Sequence, residues 1–479
     1  MHTLIRLVVI LLLFPSIAFA ACPAGVGSDP QVFTAVDATY AEVSDCVADA
    51  ITYGSSAKVI IPSGTETWST GVTGTLVADL EVEGAGVGVT NITSGSADLV
   101  LFTFTVSGTD TLTFSSMSLV LATANNTGGV FNVRGTSSNR ILKNVYFNMT
   151  PTSGHNGRAV VWGNPNDATQ GGGVVDNCTF YNNGTTGQGI SVHGNTAGAT
   201  NYWVGNPTWG TAAGTTYIEN NIFNFNGGQG DGAFDAYSGS KIVFRYNTVT
   251  GTPIGWHGND SSSGPLSVEI YKNTFTDPNN YASFSVQIRG GTSVIWDNTF
   301  DSNMPTSFTL SLYRSCEDSG IDSQRCDNTG GLGAAHDANT ETCGYRCYQQ
   351  PGSTGSDGVT QWPLIEWDND FGAGTNNGEF DLNVNFLKPD VDCTNFDSSD
   401  HLVEGRDFIN NDTCKGVVSD FCAAWWDDVN DKALDYSPYT YPHPLTVDDG
   451  LITVSNVNSG GLTISNIGSG NLTISNIGD

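Results

Sequence analysis

The chain reads Tyr271-Lys272-Asn273-Thr274-Phe275 and, one repeat later, Trp296-Asp297-Asn298-Thr299-Phe300. The apolar residue that closes this phrase recurs at 223, 249, 275 and 300, so the period is 25 or 26 residues. A fixed period of this length is typical of a solenoid, in which each repeat buries its apolar face only against its neighbours. Related phrases start at Leu142, Asp176, Glu219, Arg245 and, after a long insertion, Trp367.

The phrase itself has a physical explanation. Phe can stack on Phe in the interior of the solenoid, and Asn at a tight turn tolerates left-handed backbone geometry and can hydrogen-bond along its own column. We therefore predict that Phe223, Phe275 and Phe300 form one buried stack. Cys178 stands where the phrase usually has Asn, and we predict that it is a buried free thiol.

Short segments rich in Val, Ile, Phe and Thr, separated by Gly, Asn and Ser, predict coils of strands from about residue 56 to about 390. Helical periodicity is confined to residues 37–53, and Gly54 suits the end of that helix. An amphipathic helix before the first coil would cover the open end of a solenoid. The sequence therefore predicts an all-β fold with an N-terminal capping α-helix.

The two ends of the chain differ from the repeats. Residues 1–20 have the charge, apolar core and small-residue cleavage pattern of a secretion signal, which predicts export. Cleavage beside Cys22 leaves a lipoprotein as an alternative. We assign residues 21–446 to the solenoid domain, with caps at 30–55 and 391–446. Residues 447–479 repeat every ten residues, resemble the opening of an immunoglobulin-like surface repeat, and are too short to fold alone.

Charge and cysteine content limit the partners. The formal net charge is −31, with 17 Lys and Arg against 48 Asp and Glu. This balance excludes a nucleic-acid partner and disfavours a polyanionic substrate unless Ca²⁺ or local Arg residues reverse the field. No later segment is apolar enough to span a membrane. Cys316, Cys326, Cys343 and Cys347 crowd one insertion, where disulfides are the expectation and zinc is the alternative.

The helix, residues 61–68 and the Gly84-Ala85-Gly86 turn resemble the start of pectate-lyase-like proteins of the pectin-lyase fold, and the stacked phrases resemble their coils. The stretches 243–248, 256–258 and 438–445 are similar to exported bacterial members of that superfamily whose activity is largely unassigned. The resemblance implies a single-stranded right-handed parallel β-helix. The same scaffold carries lyases, hydrolases, epimerases and adhesins, so it does not by itself imply one activity.

A second pattern ends a strand in each repeat with a polar or aromatic residue before Gly or Ser. Stacked strands lie about 4.8 Å apart, so these residues would form one row of side chains. The row predicted from this pattern consists of His193, Tyr237, His257, Arg289 and Arg314. Asp235 would lie on the same face, two residues before Tyr237.

These residue types suit work on an acidic polysaccharide. We predict Asp235, His257 and Arg289 as catalytic, because His and Asp can move protons and Arg can grip a uronate carboxylate. Substrate binding is assigned to the rest of the row and to aromatic faces in an insertion: His193, Tyr237, Arg314, Trp203 and Trp209. The alternatives are a solvated polar ladder and a loop packed on the solenoid.

Polygalacturonase-type hydrolases resemble the row in part. Asp235 precedes His257 by 22 residues and Arg289 follows His257 by 32. Ala236 stands where those enzymes have a second Asp, although an inverting hydrolase needs two carboxylates. Pectate-lyase chemistry would need Ca²⁺, for which Asp260 and Glu269 are the candidate ligands.

The sequence therefore predicts a secreted or cell-surface protein whose partner is a polysaccharide. It is either a lyase or glycoside hydrolase of acidic polysaccharide or a non-catalytic carbohydrate-binding adhesin, a structural module of a surface fibre that the tail attaches to a scaffold. Ca²⁺ is the candidate cofactor, and whether the protein is an enzyme stays open.

Overall fold

The structure is a computed structural model, and nearly all of the strands that it describes pair in parallel. The described residues are 22, 30–121, 128–149, 157–163, 171–182, 187–194, 207–225, 232–258, 264–280, 282, 284–304, 308–311, 350–354, 360–372, 380–382, 402–417 and 419–447. The segment predicted as a secretion signal, the crowded cysteines at 316–347 and all but one residue of the tail at 447–479 lie outside these ranges.

Nineteen of the described strands form sheet A. They are Gln31–Thr34, Ala57–Ile61, Gly64–Trp68, Leu80–Gly84, Thr90–Ser94, Leu112–Leu121, Arg140–Met149, Gly173–Asp176, Thr179–Asn182, Thr215–Glu219, Ile222–Phe225, Lys241–Arg245, Thr248–Thr250, Ser267–Tyr271, Thr274–Thr276, Thr292–Trp296, Thr299–Phe300, Leu364–Trp367 and Phe408–Ile409.

Two shorter parallel sheets face sheet A across the core. Sheet B contains Val72–Thr75, Phe102–Thr105, Phe131–Arg134, Arg158–Trp162, Gln188–His193 and Gly232–Tyr237. Sheet C contains Ile254–Gly255, Val286–Ile288, Phe308–Leu310 and Phe380–Leu382. The other elements are the helices Tyr40–Tyr53, Asn411–Cys414 and Asp420–Trp425, the 3₁₀ turn Pro444–Thr446, and two small hairpins, Ser353–Thr354 with Thr360–Gln361 and Trp426–Asp427 with Lys432–Ala433.

Each passage of the chain through the sheets, which we call a coil, pairs in parallel with the coils before and after it. Phe223 pairs with Val249, Val249 with Phe275, and Phe275 with Phe300, so the repeat period found in the sequence is the register of sheet A. The all-β prediction is confirmed, and the parallel stacking is compatible with a β-helix solenoid.

The predicted burial of the Phe column is confirmed, although Val249 interrupts the ring stacking between Phe223 and Phe275. Phe223, Phe275 and Phe300 are buried in the main core. The rings of Phe275 and Phe300 lie 4.6 Å apart at an interplanar angle of 5°, and Phe371 of the seventh phrase continues the stack at 4.4 Å from Phe300. Flat stacking at this distance buries one face of each ring against the next coil.

Two residues of the phrase share the two roles, hydrogen bonding along the column and left-handed backbone geometry, that the sequence pattern assigned to Asn alone. The Asn at the centre is buried, and its side-chain amide donates to the amide oxygen one coil later: Asn247 to Asn273 at 3.0 Å and Asn273 to Asn298 at 2.9 Å. The residue before it has the left-handed geometry, as in Lys272 (φ 56°) and Asp297 (φ 51°). The turn therefore needs the backbone of one residue and the amide of the next.

Cys178 occupies the end of this amide column. It is buried and free, as predicted. Its Sγ lies 3.7 Å from the carbonyl of Leu142, which is the carbonyl that an Asn side chain at position 178 would donate to. The Cys178 backbone N–H donates to the Asn221 side chain at 2.9 Å. Burial raises the pKa of the thiol far above its usual range, so the sulfur stays protonated.

The N-terminal helix begins later than predicted. Asp37 accepts a 2.9 Å hydrogen bond from the Thr39 N–H, which holds this stretch in a turn before the first helical residue. The apolar face then packs on the first coils through buried residues that include Val43 and Val47, and Gly54 ends the helix with φ 73°.

The segment predicted as an irregular C-terminal cap does more than close the solenoid. Phe408–Ile409 adds one more strand to sheet A. Residues 436–446, which we call the strap, then run back over the outward face of sheet A. Tyr436 packs beside Trp367 and Trp296, whereas Tyr439 packs on Tyr217, about four coils earlier.

A buried ion pair fixes the strap. Arg245 and Glu219 lie 2.6 Å apart with both side chains at 0% exposure. Arg245 also donates to the carbonyls of Tyr439 and Thr440 at 2.7 and 2.9 Å, and the His443 N–H donates to Glu219 at 2.8 Å. Because all of these partners belong to sheet A or to the strap, the charges can be buried only when the strap is in place.

Two disulfides are present among the described residues. Cys22 pairs with Cys46 of the N-terminal helix, and Cys414 pairs with Cys422. The Cys22 sulfur is therefore not available for a lipid in this structure. Disulfides of this kind fit an oxidising environment. Among the described residues, no helix combines the length and apolarity needed to cross a membrane.

Candidate functional site

The predicted row of side chains lies on the outward face of sheets B and C. Val192 and Ala236 point into the core, so their neighbours His193 and Tyr237 point out, and these two residues are paired in register. The His257 N–H donates to the Ala236 carbonyl at 3.2 Å, which places His257 beside Tyr237 on the next coil. The rings of His193, Tyr237 and His257 stack at centroid distances of 4.9 and 4.2 Å.

Arg289 follows on the next coil. Gly255 pairs with Gln287, and the same register carried two residues further sets Arg289 beside His257. The Arg289 Nε donates to the Trp256 carbonyl at 2.8 Å, which fixes the stem of this half-buried side chain against the sheet. The structure therefore brings together four of the residues predicted for the row.

The row also extends in the other direction, to a residue that the sequence analysis missed. Val133 pairs with Trp162, and Trp162 with Val192, so Arg134 shares its register with Gly163 and His193. A Cβ on Gly163 (φ 94°) would lie 2.4 Å from the His193 carbonyl oxygen, so this position must be glycine. The order Val133-Arg134-Gly135 has the same pattern as Val192-His193-Gly194 and could have revealed it.

Asp235 is the polar centre of the site. It is buried, and its carboxylate accepts from three side chains: His257 Nδ1 at 2.9 Å, Gln188 Nε2 at 2.9 Å and the Tyr237 hydroxyl. None of these partners is a carboxylate. The His257 N–H donates to the Ala236 carbonyl, so the His257 side chain starts beside Tyr237 and turns back toward Asp235 to make this contact.

The electrostatics keep this centre ionised. Burial favours the neutral carboxyl, but the charge and hydrogen bond of His257, with Arg289 further off, hold the pKa of Asp235 below its usual value. Burial and the Asp235 charge raise the pKa of Tyr237 well above its usual range, so the hydroxyl keeps its proton. An ionised Asp235 therefore orients His257 with its Nδ1 toward the carboxylate and its Nε2 away from it.

His193 is a structural neighbour of this centre and not a proton carrier near neutral pH. Burial, with the nearby Arg158 charge, lowers the pKa of His193 to about 3. Its Nε2 lies 3.2 Å from the Ser191 hydroxyl. A neutral ring of this kind can support Tyr237 by stacking, and its predicted contact with substrate stays a prediction.

Two further residues of the site were not predicted. Arg158 lies one coil before Gln188, donates to its Oε1 at 2.9 Å and places its guanidinium carbon 5.6 Å from the centroid of the Tyr237 ring. Gln188 in turn donates to Asp235. Arg158 and Gln188 are the first residues of two strands of sheet B. The repeat pattern that predicts the row concerns only the last residue of each strand, so it did not indicate them.

Three predicted residues are not part of this arrangement as described. Arg314 and Trp203 lie outside the described residues. The register does not support the alignment used for Arg314, because Leu310 pairs with Ile288 and Ser311 therefore follows opposite Arg289. Trp209 lies on the other side of the molecule, where its ring packs against Trp362 and Tyr436 at 5.9 and 6.2 Å. For Trp209 the alternative of a loop packed on the solenoid is correct.

Of the two candidate Ca²⁺ ligands, the described one, Glu269, does not lie beside Arg289. Asp260 lies outside the described residues. Glu269 is on the outward face of sheet A, where its two oxygens accept from the Gly210 N–H at 2.9 Å and the Tyr436 hydroxyl at 2.8 Å. Within the described ranges, no three His, Cys, Asp or Glu side chains are grouped so that they could hold a metal ion.

The geometry supplies an imidazole oriented by one buried carboxylate, with a guanidinium on either side along the axis. The distance from Arg134 to Arg289 is five strand spacings, or about 24 Å at 4.8 Å each. No protein-family model, curated protein or solved structure matches this chain.

Proposed function

We propose that this protein is a secreted or cell-surface right-handed parallel β-helix of the pectate-lyase-like type that cleaves acidic polysaccharide by β-elimination, with His257 as the base. The observation that carries the proposal is the 2.9 Å contact between His257 Nδ1 and Asp235 Oδ1. A carboxylate that holds one ring nitrogen fixes the tautomer and aims the other nitrogen, which is the arrangement a general base needs.

Elimination fits this centre better than hydrolysis. An inverting or retaining glycosidase uses two carboxyl groups on either side of the scissile bond. Here the side-chain contacts of Asp235 are with His257, Tyr237 and Gln188, and Ala236 occupies the place of the second Asp of polygalacturonases. A single oriented imidazole can act without a carboxylate pair when the reaction begins by removing a carbon-bound proton.

In the proposed β-elimination, His257 carries the proton and Arg289 binds the uronate carboxylate. His257 Nε2 removes the proton from the ring carbon that bears the uronate carboxylate. The electron pair forms a carbon–carbon double bond to the neighbouring carbon, and the bond from that carbon to the glycosidic oxygen breaks. The leaving oxygen takes the proton back from the imidazolium, so the enzyme ends in its starting state. Arg289 binds the carboxylate and stabilises the negative charge that develops on it.

The row supports an extended anionic substrate. Arg134 and Arg289 lie on the same register of one face, in a chain whose formal charge is −31. Two fixed guanidinium groups in this acidic surface create a local field that attracts carboxylates. A uronate polymer laid along the coils would meet one guanidinium at each end and His257 near the second.

The alternative function, a non-catalytic carbohydrate-binding adhesin, is favoured by one observation. Asp235, His193 and Tyr237 are buried, and the His257 side chain is 17% exposed. A sugar could therefore touch mainly His257 and Arg289 and bind without reacting.

The test is a screen of the purified chain against acidic polysaccharides, each with Ca²⁺ or with a chelator. Ultraviolet absorbance reports unsaturated products, and a separate assay reports reducing ends. We expect absorbance and reducing ends to rise together with the unmodified chain and to stay at background with His257→Ala. Lys272→Ala, which changes an exposed residue beside sheet A, is the control and should keep both signals. Reducing ends without absorbance would favour hydrolysis, and binding without either signal would favour the adhesin. A chain that neither binds nor cleaves any of them would overturn the proposal.

A further inference from the structure

Arg140 is a charged residue inside the solenoid. It is paired with Leu112 on the preceding coil and shares the interior face of its strand with Leu142, whereas Ile141 between them faces the opposite side. The Arg140 side chain is fully buried. A buried charge is costly unless other groups satisfy it, so its partners decide what this residue does.

The partners present satisfy only part of Arg140. Its Nε donates to the Gly172 carbonyl at 2.8 Å. In the part of the chain that the structure describes, Nη1 and Nη2 are buried without an acceptor, and so is Nε1 of Trp162, whose ring centroid lies 5.2 Å from the guanidinium carbon. Guanidinium and indole nitrogens are donors only. What the site lacks is therefore an acceptor with negative charge.

The backbone holds these donors in place. A Cβ on Gly173 (φ 138°) would lie 2.7 Å from Cζ2 of Trp162 and 3.0 Å from Cβ of Arg140, so only glycine lets the chain pass against both side chains. Burial lowers the pKa of Arg140 to about 9, which leaves the guanidinium charged at neutral pH. The charge thus persists in a fixed position.

We propose that Arg140 holds a small monovalent anion, chloride, in the interior of the solenoid. The anion accepts from Nη1 and Nη2 of Arg140 and from Nε1 of Trp162, and its single charge balances that of the guanidinium. A halide suits these three donors, because it accepts from all of them and has no hydrogen of its own to place. A water molecule would bring two hydrogens of its own and no charge, so it would not balance the guanidinium.

The first test measures thermal unfolding of the full chain while chloride replaces gluconate at constant ionic strength. A ligand that binds only the folded state raises the melting temperature with its concentration. We expect that rise in the unmodified chain, with saturation, and no chloride dependence in Arg140→Met. Lys272→Met removes an equal charge from the exposed surface of sheet A and should keep the full chloride effect.

A second measurement covers the case in which Arg140→Met does not fold. Trp162→Phe keeps an aromatic ring but removes the indole donor, and we expect it to weaken chloride binding. Crystals of the unmodified chain soaked in bromide should show an anomalous peak in hydrogen-bond contact with Nη1 or Nη2. A water at that place without bromide, or equal melting temperatures in chloride and gluconate, would overturn the proposal.

Discussion

His257 and Asp235 are 22 residues apart in sequence, yet Nδ1 of one lies 2.9 Å from Oδ1 of the other. The contact exists because consecutive coils stack and set His257 beside Tyr237, two residues from Asp235. Through this contact, the Asp235 carboxylate orients the His257 imidazole, although the two residues occupy different positions of their repeats.

This unit leads to the first prediction. Asp235→Asn keeps the shape of the side chain but presents an amide to His257 Nδ1 and removes the charge that orients the ring. If the protein is a lyase, kcat should fall by about 10²–10⁴-fold, the usual range for general acid–base groups. Initial rates of unsaturated product measure the loss, with Lys272→Ala as the control. An Asp235→Asn variant with unchanged kcat would show that Asp235 does not act on the base.

The second prediction concerns the length of the substrate. Arg134 lies about 24 Å along the row from Arg289, at about 4.8 Å per strand. Arg134→Ala should raise KM for long uronate chains by about tenfold, the equivalent of roughly 1.4 kcal/mol, and leave kcat and the KM for di- and trisaccharides unchanged. Equal effects on short and long substrates would mean that the polymer does not run along the row.

Core packing gives the third prediction. Phe275→Ala should lower the free energy of unfolding by roughly 3–5 kcal/mol, because the ring is buried between the coils before and after it. Ile222→Ala is the matched control, since that side chain belongs to the same kind of phrase but is 49% exposed. Denaturant titration measures both. Similar losses for the two variants would contradict the assignment of the stack to the core.

The amide column gives the fourth prediction. Asn247→Ala should cost at least about 1–3 kcal/mol, because it leaves buried donors and acceptors on both neighbouring coils without partners. Cys178→Asn should be tolerated, with unfolding free energy within about 1 kcal/mol of the original. The new amide would find the Leu142 carbonyl where Sγ now lies. A Cys178→Asn variant as unstable as Asn247→Ala would mean that the column cannot be extended.

The fifth prediction is a dependence of strap docking on pH. Burial raises the pKa of Glu269 to about 7 from the usual 4.5, against hydrogen bonds from Gly210 and Tyr436 and the charge of Arg245. Because the folded pKa lies above the unfolded one, the stabilisation is complete below pH 4.5 and is lost as the pH rises through about 7. The loss should approach about 3 kcal/mol, at 1.36 kcal/mol per pKa unit.

Hydrogen exchange of residues 436–446 at pH 6 and pH 8 measures this effect. After correction for intrinsic amide exchange, which is itself faster at high pH, the protection factors of the strap should be lower at pH 8 than at pH 6, and Glu269→Gln should remove that difference. Burial also lowers the pKa values of His193 and His443, to about 3 and about 4, so their stabilisation is complete only above the usual value of 6.5 and, between pH 6 and that value, opposes the loss from Glu269. Glu81→Gln, at a surface ion pair with Lys58, is the control. An unchanged pH difference in Glu269→Gln would assign it to another group.

The parts of the site that the sequence predicted are those that follow the repeat. His193, Tyr237, His257 and Arg289 end equivalent strands, so their adjacency follows from register alone. Arg314 shows the limit of this reasoning, because the spacing between these two coils is shorter than the usual period and Ser311 takes the place opposite Arg289. Arg158 and Gln188 could not be predicted, since nothing in a strand's first residue indicates that its side chain reaches a neighbour's carboxylate.

By itself the sequence determined the stacking of coils, the Phe column, the amide column and the N-terminal helix. The first three depend on contacts between neighbouring repeats, which a regular period specifies directly, and the helix depends on the helical spacing of its own apolar residues. Only the tertiary structure decided where residues 436–446 lie and what Arg245 binds, because its contact with Tyr439 joins residues 194 positions apart. No repeat period relates Arg245 to Tyr439. The buried guanidinium of Arg245 finds its carbonyl acceptors only when the strap packs over it.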